Sequence, residues 1–263
     1  PAARGQIVIL ASKMLNVGFD DWPYPAFVAH RGAGLLAPEN TLAAMRAGFD
    51  YGYRMFEFDA KLSGDGVAML MHDAVVERTT NGSGRVAGMS WGELARLDAG
   101  SWHSARYAGE PVPTLARVAR WLRANDCLAN IEIKPCPGRE AETGAAVAIE
   151  ALLLWRDAEV PPLLSSFSEA ALEAARKVAP ALPRALLLGE LPADWLDRCR
   201  ALECVALDAS HRVLDSATIA AAKAAGLRVL SYTINEPARA AELRAAGLDC
   251  VITDAVDLIA PGD

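Results

Sequence analysis

The chain has 263 residues, of which 52% are hydrophobic, and it carries a formal net charge of −7 with a pI near 5.2. This length and apolar content suffice for one large core, while the acidic balance without a basic cluster argues against a nucleic-acid partner. No apolar run approaches the roughly 20 residues that cross a bilayer, so stable membrane association is not expected.

Five widely spaced cysteines are odd in number and form no ligand-like pairs, which argues against a disulfide framework or a zinc site. Reduced thiols fit a cytoplasmic location. Because residue 1 is proline, the sequence does not decide against a removed signal peptide. We interpret residues 1–21 as an N-terminal extension and residues 22–263 as a single domain.

Beyond Pro25, short β-branched runs alternate with alanine-rich amphipathic stretches, a pattern typical of βα units with a parallel sheet. In the first helical stretch, Asn40 or Thr41 can cap the start and Gly52 can end the helix. The predicted strands are 26–30, 55–61, 128–134, 162–167, 184–189, 204–209, 228–233 and 250–253. Eight such units predict an α/β fold of the TIM (β/α)8 barrel type, with an active site at the carboxyl ends of the strands.

A ninth strand-like run, 67–72, does not fit this repeat, because only residues 63–66 separate it from the second strand. That connection is too short for a parallel crossover, so the run must return antiparallel as a hairpin. Regular pairing would place Leu62 opposite Val67 and Glu57 opposite His72. The glycine-rich stretch 73–113 that follows is predicted to form a small cap over the barrel mouth.

Three carboxylates are candidate metal ligands. Glu57 and Asp59 are two apart on a strand, so their side chains share a face, and Glu132 lies at the corresponding end of the next barrel strand. An all-oxygen set favours Mg²⁺ or Ca²⁺ over zinc. The alternative is a salt-bridged barrel interior in which Arg31 and Lys134 neutralise the acids.

Two histidines flank these acids. His30 ends the first strand before a glycine-rich loop, and the hairpin carries His72 back beside the carboxylates. Imidazoles at such positions suit proton transfer. Arg31 can bind a phosphate bidentately and Lys134 can act as a mobile point charge, a role compatible with neutralising the acids.

In chain order, the motifs HRG, PENT, ExD, HD, DAGSWH, IEIKP, LLSSF and VITD resemble the glycerophosphodiester phosphodiesterase family, in particular its short bacterial cytosolic branch. The resemblance covers residues from about 22 to 254. It implies a phosphoric diester hydrolase on a TIM barrel, with a divalent cation, Mg²⁺ or Ca²⁺, held by Glu57, Asp59 and Glu132. It also implies a histidine general base and a histidine general acid, which we assign to His30 and His72.

The resemblance extends to residues around this centre. Glu39, within PENT, matches a glutamate that orients the site. Phe167 and Tyr232 lie near the carboxyl ends of strands and could form the wall of the alcohol pocket, although core packing explains them equally well. Relatives often carry tryptophan at the position of Tyr232, which makes the size of the pocket uncertain.

The expected function is metal-dependent hydrolysis of a small-molecule glycerophosphodiester to sn-glycerol 3-phosphate and an alcohol. The nucleophile is either water or the substrate's own glycerol hydroxyl, which would form a cyclic phosphate. The alternatives are a phospholipase-type phosphodiesterase acting on lipids, and a non-catalytic barrel that binds glycerol phosphates. The head group, the physiological cation and the oligomeric state stay open.

Overall fold

The computed structural model describes residues 22–261, so the predicted N-terminal extension lies outside the described residues. Eight parallel strands close into a barrel, and a ninth strand, β3, pairs with the outer end of β2. The predicted TIM barrel is confirmed. The strands are β1 Phe27–Ala29, β2 Met55–Leu62, β3 Ala68–Leu70, β4 Leu128–Ile133, β5 Leu163–Ser166, β6 Arg184–Leu188, β7 Ala206–Ser210, β8 Arg228–Tyr232 and β9 Cys250–Thr253.

Helices alternate with the strands and cover the outside of the barrel. The first begins after Thr41, whose hydroxyl accepts a hydrogen bond from the Ala44 N–H at 3.1 Å, so Thr41 rather than Asn40 is the cap. No helix among residues 22–261 is long and apolar enough to cross a membrane. The helices are α1 Leu42–Asp50, α2 Trp91–Leu94, α3 Leu115–Ala124, α4 Glu140–Leu154, α5 Glu169–Val178, α6 Trp195–Ala201, α7 Ser216–Ala224 and α8 Pro237–Ala245.

The barrel interior is apolar at its amino-terminal end and polar at its carboxyl-terminal end. Inward-pointing Val28, Met55, Leu163 and Leu230 belong to one buried cluster that fills the lower part of the barrel. Two residues further along the strands, the inward positions become charged or hydrogen-bonding, as at Glu57. Because the lower layer is packed, a ligand can enter only at the carboxyl-terminal mouth.

The hairpin between β2 and β3 is antiparallel as predicted, but its register differs by one residue. Leu62 lies opposite Ala68, not Val67, so Glu57 is not opposite His72. The Ser63 N–H donates to the Val67 carbonyl at 3.0 Å, which leaves a three-residue loop instead of the expected four. Gly66 ends this loop with φ +86°, a left-handed conformation that three-residue hairpin loops require and glycine adopts at low cost.

β3 also splits the barrel seam at the mouth. β1 and β2 share only the pair Ala29 and Phe56, because further along β2 the neighbouring position is taken by β3. The side chain of Asn40 fills the resulting gap, since it accepts a hydrogen bond from the Asp59 N–H at 2.9 Å and donates one to Asp59 Oδ2 at 2.7 Å. Asn40 thereby holds Asp59 in place where the seam is split.

The stretch predicted as a cap contains α2 and two short 3₁₀ turns, Val86–Gly88 and Ala105–Tyr107. It has its own small apolar core, in which Met69 and Met71 contact Val86 and Leu94. All five cysteines of the chain lie within the described residues and are buried.

Candidate active site

Three buried carboxylates converge at the barrel mouth. Glu57 and Asp59 lie on β2, and Glu132 lies on β4 directly opposite Asp59. One oxygen atom from each carboxylate lies within 4.8 Å of the others. The three residues are buried, with 1–7% of their surface exposed. Glu57 Oε1 and Asp59 Oδ1 have no hydrogen-bond partner among the described residues. This donor set fits a hard divalent cation, which would satisfy both unpartnered oxygens.

The electrostatics of the three acids support the same conclusion. Burial, reinforced by the negative charges of Asp59 and Glu132, raises the pKa of Glu57 well above its ordinary value. Burial and the charge of Asp59 raise the pKa of Glu132 to about 7. Burial also opposes ionisation of Asp59, but Arg31, His72 and Lys134 outweigh it and lower its pKa. The positive side chains of the protein therefore do not fully neutralise the three carboxylates.

Two basic side chains border the acids and line the same cavity. Arg31 donates its backbone N–H to Glu57 Oε2 at 3.1 Å, and its side chain donates to Glu39 at 2.8 Å. Lys134 Nζ lies 2.6 Å from Glu132 Oε1. Arg31 and Lys134 therefore form the salt bridges that the sequence offered as an alternative to metal binding. Both side chains also line the cavity.

His30 is oriented by the residue that directly follows β9, the last strand of the barrel. Its Nδ1 lies 2.6 Å from Asp254 Oδ1, and its Nε2 lies 3.7 Å from Glu57 Oε2. When a carboxylate accepts from Nδ1–H, the neutral imidazole keeps Nε2 as its proton-accepting nitrogen. Asp254 was not singled out from the sequence, although it is the last letter of the VITD motif.

His72 has an equivalent partner. Its Nδ1 lies 2.7 Å from Asp73 Oδ1, and Asp73 in turn accepts two hydrogen bonds from Arg78. Arg78 donates two further hydrogen bonds to Glu39, which also holds Arg31. Glu39 therefore orients two arginines. Arg78 was missed because an arginine in a polar loop gives no sequence signal of its own.

Lys61 is a second residue that the sequence interpretation overlooked. It is 1% exposed, and its Nζ donates to the backbone carbonyls of His72 and Lys134, both at 3.0 Å. Burial lowers its pKa. A lysine two residues after Asp59 on the same predicted strand was the available signal, since a buried ammonium needs partners. Lys61 fixes the backbone of the two segments that carry His72 and Lys134.

The cavity at this mouth has a volume of about 200 Å³ and brings together both histidines, Glu57, Glu132 and the two basic side chains. Phe167 and Tyr232 form part of its wall, with ring centroids 5.7 Å apart in an edge-to-face arrangement. Lys134 Nζ lies 5.1 Å from the centroid of the Phe167 ring. Phe167 is 44% exposed, whereas Tyr232 lines the cavity and also packs against the buried cluster of the lower barrel, so both interpretations of Tyr232 stay open.

Comparisons with known proteins agree with this geometry. The model of the glycerophosphoryl diester phosphodiesterase family matches residues 30–258. A glycerophosphodiester phosphodiesterase from Caldanaerobacter subterraneus subsp. tengcongensis is 32% identical over 232 residues, which are 86% of this chain and 93% of that protein.

Solved structures give the same result. An Oleispira antarctica phosphodiesterase, solved in complex with the product sn-glycerol-3-phosphate, is 34% identical with a TM-score of 0.84 and covers 95% of this chain and 97% of its own. A glycerophosphodiester phosphodiesterase from Agrobacterium tumefaciens is 29% identical with a TM-score of 0.73, over 90% of this chain and 99% of its own. The chain therefore belongs to the glycerophosphoryl diester phosphodiesterase family and is a phosphoric diester hydrolase.

Proposed function

We propose that this enzyme hydrolyses glycerophosphodiesters to sn-glycerol 3-phosphate and an alcohol. The observation that carries the proposal is that a single cavity holds acidic, basic and imidazole side chains together. Its lining includes Glu57 and Glu132, two basic side chains, and two histidines that are each held by a carboxylate. The Oleispira relative, which binds sn-glycerol 3-phosphate as its product, supports this choice of substrate.

Each charged group has a distinct task in this proposal. Glu57, Asp59 and Glu132 hold Mg²⁺ or Ca²⁺, which when bound polarises phosphoryl oxygens and favours formation of the nucleophile. Arg31 and Lys134 neutralise the phosphate, and Glu39 keeps the Arg31 guanidinium in position. Burial lowers the pKa of Lys134, but Glu132 and Asp59 outweigh that effect and keep it raised, so the ammonium stays charged.

The histidines move the protons. His30 Nε2 accepts the proton of the nucleophile, and the resulting imidazolium is stabilised by Asp254. As the phosphorus–oxygen bond to the alcohol breaks, His72 donates its proton to the departing alkoxide, and Asp73 keeps its ring oriented. Both water and the 2-hydroxyl of the glycerol moiety satisfy this scheme as nucleophile.

The lipid alternative has one supporting feature. Leu35 is 76% exposed and Trp102 is 40% exposed, and His103 connects them by a hydrogen bond to the Leu35 carbonyl and an edge-to-face ring contact with Trp102. Against it, Met89 and Trp91, two further apolar residues of the cap, are partly buried against the core of the cap. A cavity of about 200 Å³ is also small for a lipid.

The test measures the choline released from each substrate with choline oxidase, with and without a chelator, and confirms sn-glycerol 3-phosphate as the second product from glycerophosphocholine by coupling to glycerol-3-phosphate dehydrogenase. Lysophosphatidylcholine serves as the lipid substrate, and Arg156→Ala, an exposed arginine outside the site, serves as the control variant. We expect cation-dependent release from glycerophosphocholine and little from the lipid. Preferred cleavage of the lipid would replace this proposal, and binding of sn-glycerol 3-phosphate without any turnover would establish the non-catalytic alternative.

A further inference from the structure

Below the proposed metal and phosphate groups, the cavity has a floor of hydrogen-bonding side chains that the scheme above does not use. We call Asn130, Ser165 and Asp208 the polar floor. They lie on β4, β5 and β7, they are completely buried, and they line the same cavity as His30. Asp208 is an acid within the predicted apolar strand 204–209, a signal that the sequence interpretation did not use.

The side chains of the polar floor have no partners within the protein. Both amide atoms of Asn130, Ser165 Oγ and both carboxylate oxygens of Asp208 make no hydrogen bond with the described residues, and neither does the Tyr232 hydroxyl above them. A buried polar group without a partner lowers the stability of a protein, and buried polar groups are normally satisfied. The neighbours of Asp208 in the sheet, Leu187 and Leu230, show that apolar residues fit these strands. Such a concentration of unsatisfied groups indicates a binding surface.

The charges identify the part of the substrate that this surface suits. Arg31 and Lys134 lie with Glu39, Asp59 and Glu132, so the phosphate belongs beside those acids. The polar floor contains no cation, and it offers both donors and acceptors, as hydroxyl groups require. Burial also raises the pKa of Asp208 well above its ordinary value, and a neutral carboxyl group both donates and accepts.

The depth of the cavity distinguishes the two arms of the diester. Phe167, at the mouth, is 44% exposed, whereas the polar floor is closed to solvent. The arm that varies in size between substrates needs the open side, and the small arm common to all glycerophosphodiesters fits the closed side. We propose that Asp208, with Asn130 and Ser165, binds the hydroxyl groups of the glycerol moiety and makes the enzyme selective for glycerol-bearing phosphates. This inference rests on the proposed function, because it assigns one part of that substrate.

The experiment measures binding by titration calorimetry with the full chain and Mg²⁺. The probes are sn-glycerol 3-phosphate and n-propyl phosphate, which share the phosphate and the three-carbon chain and differ in the hydroxyl groups. We expect the wild type to prefer sn-glycerol 3-phosphate by at least roughly tenfold, and Asp208→Leu to remove most of that preference by weakening only the glycerol ligand. Leu187→Met, which changes an apolar wall beside Asp208, should keep the preference.

Equal affinity of the wild type for both ligands, or an equal loss on both in Asp208→Leu, would overturn the inference. Phosphocholine is a third probe, and a loss of affinity in Asp208→Leu for phosphocholine alone would also overturn the inference, because the floor would then bind an ammonium group. If Asp208→Leu does not fold, Asp208→Asn replaces it and should reduce the preference. Hydrolysis of glycerophosphocholine is measured in parallel. If the protein binds sn-glycerol 3-phosphate but does not hydrolyse the diester, the proposed function is refuted, and the comparison of the two ligands still tests this inference.

Discussion

Arg78 and Glu39 lie 39 positions apart in the chain, yet the guanidinium donates to both oxygens of the carboxylate, at 2.7 and 2.8 Å. The same guanidinium holds Asp73, the partner of His72. One cap residue thereby joins the orientation of the proposed general acid to that of Arg31, through Glu39. The stretch predicted as a cap therefore contributes Arg78 to the proposed catalytic arrangement.

The first prediction is that Arg78→Ala lowers kcat for glycerophosphocholine by about ten- to a hundredfold, less than the loss of a general acid itself. Hydrogen bonds from Arg78 hold the pKa of Asp73 far below its usual range, so the substitution both frees Asp73 and raises its pKa. Arg78→Lys should rescue little, because an ammonium cannot make four planar contacts. A nitrophenyl phosphodiester should be affected less, and equal losses on both substrates would contradict a role through His72.

The second prediction concerns the cation. Chelation should abolish turnover, and Glu57→Gln should weaken Mg²⁺ binding while the barrel stays folded, because the substitution removes a ligand and relieves repulsion among buried acids. Calorimetric titration with Mg²⁺ and thermal unfolding in chelator are the measurements. Glu142→Gln, on the exposed side of α4, is the matched control. Undiminished activity in chelator would remove the metal site from the mechanism.

The third prediction follows from Glu132, whose pKa rises from 4.5 to about 7 on folding. The folded state then binds more protons than the unfolded state between these values, so this contribution to stability is complete below pH 4.5 and is lost as the pH rises through 7. In chelator, Tm should fall by a few degrees between pH 5 and 8. Glu132→Gln should flatten that slope, and Mg²⁺ should reverse it by binding the ionised form. A slope unchanged by the substitution would refute the assignment.

The fourth prediction separates the histidines. A general acid matters most when a basic alkoxide departs, and it contributes roughly 10²–10⁴-fold there. His72→Ala should therefore impair hydrolysis of glycerophosphocholine strongly and spare much of the activity on a nitrophenyl phosphodiester. His30→Ala should impair both substrates comparably. The reverse pattern would exchange the two roles, and losses below roughly tenfold for both variants would exclude the pair.

The parts of the site that follow from local periodicity could be predicted from the sequence. Glu57 and Asp59 share a face because side chains alternate along a strand, and the brevity of the turn after Leu62 required an antiparallel return. The register was wrong by one residue, because the left-handed Gly66 allows a three-residue loop and the letters alone do not distinguish it from a four-residue one.

The residues that orient the site could not be predicted in this way. Asp254 and Arg78 act through contacts across 224 and 39 positions, and these distances depend on closure of the barrel and the path of the cap. Asn40 was considered only as a helix cap, yet it bridges the split seam beside Asp59. Local patterns locate charged groups, whereas their partners depend on the tertiary fold.

The contact between His30 and Asp254 links the first strand of the barrel to the last. During synthesis His30 emerges early and Asp254 emerges last among the strand-end residues, so a nascent chain can collapse around β2 and β4 well before its imidazole has an orienting partner. A chain that ends before β9 would therefore keep the three acids, Arg31 and Lys134 and would lack the carboxylate that aligns His30.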